Sequence, residues 1–392
     1  MSTLTATQTS TVARQKASGE HGKFGELDRP EARGLDNADT GETKFTKRYE
    51  RLEDKVEMLK DELAGAIAGL DSDTEWRRAL DAMSQLHGYS FNNTLLIMVQ
   101  NPDATICAGA KTWRSGFNRT IKEDQRGKGL AILAPRMAWV TKKDAAGNEI
   151  KDENGKTKRE FRVVGFTTTT TYDVSQTEGD PLPELRPALS ETPPEGLIDD
   201  LEAAIAAKGY TVSYGRMPSP ETRGYTTTDG HVVIREDLGP ADRAKTLAHE
   251  LGHIQLGHLD RTDEYHTGET GCRGEMEVEA ESFAYVLSRL NGMSTDLSTN
   301  SSRYLNSWAA KGKTDTESLD ATVGAMKKSG TAIAKGVNDV VKEQKFRNIS
   351  TVVEQGKAKA AEAAAERRKA KAAAKKTTAK RKPARKRAVS KA

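Results

Sequence analysis

Five residues, His249-Glu250-Leu251-Gly252-His253, carry the sharpest chemistry in this chain. On an α-helix, two histidines four apart leave one face about one turn from each other. That spacing lets two imidazole nitrogens reach one ion at ~2.0–2.1 Å. Glu250 lies ~100° round the helix, off the ligand face, where it can take a proton from an attacking water. Leu247, Ala248 and Leu251 supply an apolar setting, Gly252 leaves room against the metal, and Gly257 offers a C-terminal cap. The pattern predicts a Zn2+ centre with Glu250 as the catalytic residue and peptide hydrolysis as the chemistry. Two blander readings compete with it. One is a helix that happens to bear two histidines; the other is a structural zinc, which would need a fourth protein ligand.

The third ligand has to come from elsewhere. Six residues after His253 stands Leu259, not a histidine, and His258 is five residues on, ~140° away on a continued helix. The stretch RGEMEVEAESFAYVLSRL (273–290) offers Glu275, Glu277, Glu279 and Glu281. Its apolar stripe is Met276, Ala280, Phe283, Leu287 and Leu290, and Glu279 lies nearest to it. A carboxylate near a core is costly unless paired or metal-bound. The expected metal set is therefore His249, His253 and Glu279, with at least two of the other glutamates on a solvated face. A donor for the developing oxyanion is also required, and Tyr285, His258, Tyr265 and His266 are the available groups.

These residues need elements to hold them. Residues 1–44 lack any apolar period and read as a disordered segment. A first domain is expected over 45–185. It opens with a helix marked by Tyr49, Leu52, Val56, Leu59, Leu63 and Ile67. Helices near 74–87 and 91–100 follow, the latter stopped by Asn101-Pro102. Then come the β-rich stretches 129–135, 137–141 and 159–174. Prolines 187, 193 and 194 mark a linker, 186–195. A second domain over 196–342 begins with a helix at 197–208. A hairpin turning at Asp229-Gly230 precedes the metal-motif helix, which Pro240 opens. Residues 343–392 are a low-complexity Ala/Lys/Arg tail.

Charge is divided unevenly. From Lys357 onward there are 15 Lys and Arg against two acids, while the residues before it carry a net charge of −9. A basic tail on an acidic body predicts a polyanion partner for the tail, double-stranded DNA included, bound through counterion release. No run of 18 apolar residues predicts a membrane span, and the amino-terminal stretch lacks the apolar run of a signal peptide. Two distant cysteines, Cys107 and Cys272, suit a reducing cytoplasm, which is the expected location.

The first domain supplies a second set of binding residues. Single-stranded nucleic acid is held by a basic groove with aromatic stacking. Lys111, Trp113, Arg114, Arg119, Lys122, Arg126 and Lys128 fit that description, and Asn92 and Asn93 sit where a helix begins. For Trp113 a place in the core is an equally good reading.

HELGH followed by EVEAESFAYVL resembles the ImmA/IrrE-like and ArdC-type zincin domains. YSFNNTLLI (89–97), NPDAT (101–105), KTW (111–113), KGLAILAP (128–135) and YDVSQTEGDPLP (172–183) resemble the single-stranded-DNA-binding domain of ArdC-type antirestriction proteins. The blocks stand in the family's order and cover about residues 45–342. HGKFGELDRPEA (21–32) is similar to a short segment of actinobacterial mobile-element proteins. After the tryptophan the chain departs from the family pattern, with FNRTIKEDQRGKG (117–129) longer and altered. The resemblance implies an α+β protein of two domains, the second gluzincin-like, with disordered tails. It implies a metal held by His249, His253 and Glu279, catalysis by Glu250, single-stranded DNA as partner, an unidentified protein substrate, and protection of incoming DNA from restriction. A regulatory protease that cleaves a repressor or restriction component, and a DNA-masking protein with a vestigial metal site, are the other expectations.

Overall fold

A computed structural model of the chain describes residues 42–70, 72–182, 189–264, 273–296, 316–349 and 352–380. All but three of the residues read as the amino-terminal segment therefore lie outside the described residues, as do Tyr265 and His266. From Glu42 onward the chain forms one compact unit with an α+β architecture.

The first helices form where the apolar spacing places them. Helix α1 (Leu52–Ala68) buries Val56, Leu59, Leu63 and Ile67, one residue per turn. Helix α2 (Asp73–Gln85) starts at Ser72, whose hydroxyl accepts from the Glu75 N–H, and α3 (Phe91–Gln100) starts likewise at Ser90. A short helix α4 (Ala110–Gly116) lies between strands β1 (Cys107–Ala108) and β2 (Arg119–Ile121). Strands β3 (Leu130–Thr141) and β4 (Arg159–Asp173) then form a long antiparallel ribbon, with sheet order β1-β4-β3. The two strands expected at 129–135 and 137–141 are thus one. Pro135 does not interrupt it because β3 is an edge strand, and the register shifts beside it, between Arg136 and Met137. Strand β5 (Thr177–Gly179) pairs with β2.

The second half carries α5 (Leu197–Ala207) and a three-stranded sheet of order β6-β8-β7. Its strands are β6 (Thr211–Gly215), β7 (Gly224–Thr226) and β8 (His231–Arg235). The β7–β8 hairpin turns at Asp229-Gly230 as expected. Helix α6 (Pro240–Gln255) has proline in its first turn, and α7 (Arg273–Leu290) packs across it. Helices α8 (Thr316–Glu343) and α9 (Val352–Lys380) complete the described chain. Helix α9 runs well into the stretch read as a basic tail. Its Ala, Lys and Arg content favours helix, and its beginning packs on α4.

One buried apolar cluster joins α1, α2 and α3 to α5, α6, α7 and α8. Two hydrogen bonds rivet α2 to α7 inside it. The Trp76 indole N–H donates to the Ser282 hydroxyl at 3.0 Å, and the Tyr285 hydroxyl donates to Asp81 at 2.8 Å. The first half of the chain therefore braces the helix that carries the acidic run. Among the described residues no helix is long and apolar enough to cross a membrane.

Candidate metal centre

Helix α6 buries Ala244, Leu247, Ala248 and Leu251 and turns His249, Glu250 and His253 towards α7 and β7. The two histidine rings meet edge to face, with their Nε2 atoms 3.1 Å apart. Glu277 on α7 reaches both, at 3.5 Å to His249 Nε2 and 3.8 Å to His253 Nε2. Glu281, one turn further along α7, places its carboxylate 3.3 Å from His249 Nδ1. Ligand atoms of His249, His253 and Glu277 all lie within 4.8 Å of one another.

The expected third ligand, Glu279, is not part of this group. It is buried, as its position beside the apolar stripe required, but its partner is His258, whose Nε2 lies 2.9 Å from Glu279 Oε2. His258 Nδ1 in turn lies 2.9 Å from His253 Nδ1. Reckoning His258 as ~140° away failed because the helix does not continue. Gly257, at a φ of 72°, ends α6 in the left-handed region, and the following 3-10 segment swings His258 back beneath His253. The better signal was the pairing of spacings. Glu277 and Glu281 are four apart on α7, as His249 and His253 are on α6, so two i, i+4 pairs face each other where the helices cross.

That crossing corrects the part given to Gly252. It makes room for α7, not for a metal, since a Cβ there would sit 3.0 Å from the Cα and carbonyl oxygen of Ala280. Gly252→Val is expected to force the helices apart, lowering stability by ~1–3 kcal/mol and loosening metal retention. Thermal unfolding and metal content check this, and an unchanged melting temperature would contradict it.

Hydrogen bonding points both Nε2 lone pairs into the gap. With the His258 proton on Nε2 for Glu279, its Nδ1 accepts from His253 Nδ1–H, which leaves His253 Nε2 free to ligate. His249 Nδ1–H faces Glu281, so its Nε2 is the nitrogen directed at the gap. The 3.1 Å separation is close to the ~3.3 Å edge of a tetrahedron with bonds of ~2.0–2.1 Å. Burial disfavours charge on His249, yet its hydrogen bonds to Glu277 and Glu281 raise its pKa to about 10, so a metal ion would displace a proton from its Nε2. His253, buried and facing that charge, is lowered to about 3 and is the neutral donor. Two ring nitrogens beside a carboxylate form a donor set that fits a divalent cation.

Glu250 is buried next to the donor set without joining it. Burial raises its pKa, and the Thr226 hydroxyl of β7 donates to its Oε2 at 2.6 Å. All four residues line an open cleft of about 850 Å³ whose opposite wall is β7, with Lys245, Arg273 and Thr262 at its margins. Tyr285 does not face this cleft; it is buried against α2. His258 lies behind His253.

The expected nucleic-acid residues do not form one surface. Trp113 is fully buried and donates to the Tyr172 carbonyl at 2.9 Å, so it is a core side chain and stacks on no base. Both ends of the Asn93 amide pair with the Leu133 backbone, fastening α3 to β3, as Gln100 does at Ala131. Asn92 is half-buried beside it, with Oδ1 shielded from water. Arg119 is held by Thr177 and Gly179 of β5. Lys122 is partly buried, whereas Lys111, Arg114, Arg126 and Lys128 are exposed.

An HExxH helix crossed by a glutamate-bearing helix beside a small sheet is the frame of a metallopeptidase-like domain. Residues 206–288 match the family described as the IrrE N-terminal-like domain. Two solved structures similar to the chain are crystal structures of the antirestriction protein ArdC from plasmid R388, one metal-free and one Mn(II)-bound. They are 18% and 17% identical to it, with TM-scores of 0.36 and 0.34. The alignments cover 63% of this chain in each case, and 85% and 84% of those chains. No curated protein matches the chain.

Proposed function

We propose that this protein is an ArdC-like antirestriction protein that binds single-stranded DNA and hydrolyses a peptide bond at a divalent-metal site. The observation that carries this reading is the convergence of His249, His253 and Glu277 with buried Glu250 in one open cleft. Zinc suits the two-nitrogen, one-oxygen donor set, and manganese occupies one of the ArdC crystal structures. Bound there, the ion would polarise the scissile carbonyl and make water a better nucleophile. The remaining work falls to the chain. Edge strand β7 borders the cleft and can take an extended peptide as an added strand. Thr226 fixes one carboxylate oxygen of Glu250 and leaves the other for the attacking water. A carboxylate whose affinity for protons is raised by burial accepts the water's proton and passes it to the departing amine.

Glu250→Gln tests this. The amide can still accept from Thr226, so fold and metal content should be retained, while casein cleavage by the metal-loaded protein should fall ~10²–10⁴-fold. The same variant should be compared for protection of unmodified plasmid DNA entering a restricting host. Lost cleavage with intact protection would assign protection to DNA masking and remove the peptidase from the antirestriction role. No cleavage by the wild type on any unfolded protein would remove hydrolysis from the reading.

A further inference from the structure

The β3–β4 ribbon continues past the part of its sheet that the helices cover. At its base Leu130, Ala131 and Ile132 are buried, and from Pro135 outward the side chains are largely open to water. Six large apolar residues lie in that outer part with high exposure: Met137 41%, Trp139 59%, Phe161 54%, Val163 47%, Val164 39% and Phe166 49%. A contiguous apolar patch of this kind marks an interaction surface.

The register gathers the patch. Trp139 stands opposite Phe161, Met137 opposite Val163 and Pro135 opposite Phe166, and strand alternation puts these three pairs on one face. The register shift leaves Val164 as the extra residue on β4. Trp139 and Phe161 are tilted rings 5.3 Å apart, and Arg159 donates across the strands to the Trp139 carbonyl at 2.8 Å. The Pro135 and Trp139 positions are four residues apart, or about 13 Å along the strand, which separates Phe166 from the Trp139–Phe161 pair by more than one base.

The charge around the patch is positive. Between Arg136 and Arg162 there are eight Lys and Arg against five acids, and all eight cations are exposed. Two of the acids are engaged by their own turns: Asp144 accepts from the N–H groups of Ala146 and Asn148, and Asp152 from those of Asn154 and Lys156. This segment carries +3 on a body that, up to Gly356, carries −9.

We infer that the outer β3–β4 ribbon is a single-stranded-DNA-binding arm. Trp139, Phe161 and Phe166 stack unpaired bases, and Arg159, which alternation places on the same face opposite Thr141, meets a phosphate. This rests on the single-stranded-DNA reading above and gives it a surface. A duplex does not fit, because its base faces are covered by their own neighbours. A second copy of the chain does not fit either, since a two-fold contact through this face would set its cations against themselves.

The test is binding of a fluorescein-labelled oligo-dT to the full-length protein, read by anisotropy over a salt series. Trp139→Ala/Phe161→Ala is expected to weaken binding about 30-fold or more, because each stacked base contributes at least ~5-fold. Both positions are exposed, so the melting temperature should not move. Arg159→Ala is expected to flatten the slope of log affinity against log salt by about 0.7, the contribution of one phosphate contact on a single strand. Wild-type binding that the aromatic variant leaves unchanged would overturn the arm and leave the single-stranded-DNA reading standing. A wild type that binds no oligo-dT would sink both. An aromatic variant that alters sedimentation and not DNA affinity would make the ribbon a self-association surface, which also overturns the proposal.

Discussion

Glu277→Gln is expected to drain the metal site, while the same exchange at Glu279 leaves it largely filled. Glu277 faces the gap between His249 Nε2 and His253 Nε2, at 3.5 and 3.8 Å, and is the carboxylate that closes the three-residue donor set. A neutral amide oxygen there removes the negative charge that offsets a divalent cation. Glu279 stands behind the proposed ligand His253, with His258 between them. A glutamine at 279 still offers a carbonyl oxygen to His258 Nε2–H, so the His253 tautomer is kept. Outer partners of this type typically alter metal affinity ~10–100-fold when removed outright; the loss at 277 should exceed that range, and the conservative exchange at 279 should fall below it. Competition with a chromogenic chelator, together with metal content after dialysis, reads both. Retention in the 277 variant with loss in the 279 variant would restore Glu279 as the ligand.

Trp76→Ala should unfold the metal centre from the far side of the core. Trp76 is fully buried, packs against Phe91 with ring centroids 6.3 Å apart, and bonds to Ser282 on α7. Emptying such a site costs ~3–5 kcal/mol. At ~2–4 °C per kcal/mol for a unit of this general size, the melting temperature should fall by roughly 6–20 °C. Because α7 also carries Glu277 and Glu281, metal affinity should fall with it, although Trp76 lies in the first half of the chain. Trp76→Phe keeps most of the packing and should lose only ~1 kcal/mol for the hydrogen bond. A melting temperature within 2 °C of wild type for Trp76→Ala would show that α2 does not brace α7.

Much of this was legible in the residues themselves. The α1 stripe, the serine caps, the Asp229-Gly230 turn and the proline opening α6 are local effects, each decided by a handful of neighbouring residues. The same holds for the HExxH geometry, since i, i+4 spacing on one helix fixes where two imidazoles point. The rule that a buried carboxylate must have a partner was sound for Glu279, and only the identity of the partner was out of reach. It depended on where the chain went after Gly257, and a helical wheel stops applying at a left-handed residue.

Composition and local pattern thus determined that the chain holds an amphipathic metal-motif helix, a glutamate-bearing helix near it, β-rich sequence between helical runs, and a basic end. Tertiary structure decided which carboxylate meets the histidines, because that turns on the α6–α7 crossing at Gly252 and Ala280. It also decided the fate of the aromatic residues. Trp113 and Trp139 both stand in β- and helix-forming stretches rich in basic residues, yet one is sealed beneath Tyr172 and the other lies open on a ribbon. Burial is a property of what packs on top of a residue, and nothing in the residue's own neighbourhood in sequence specifies that.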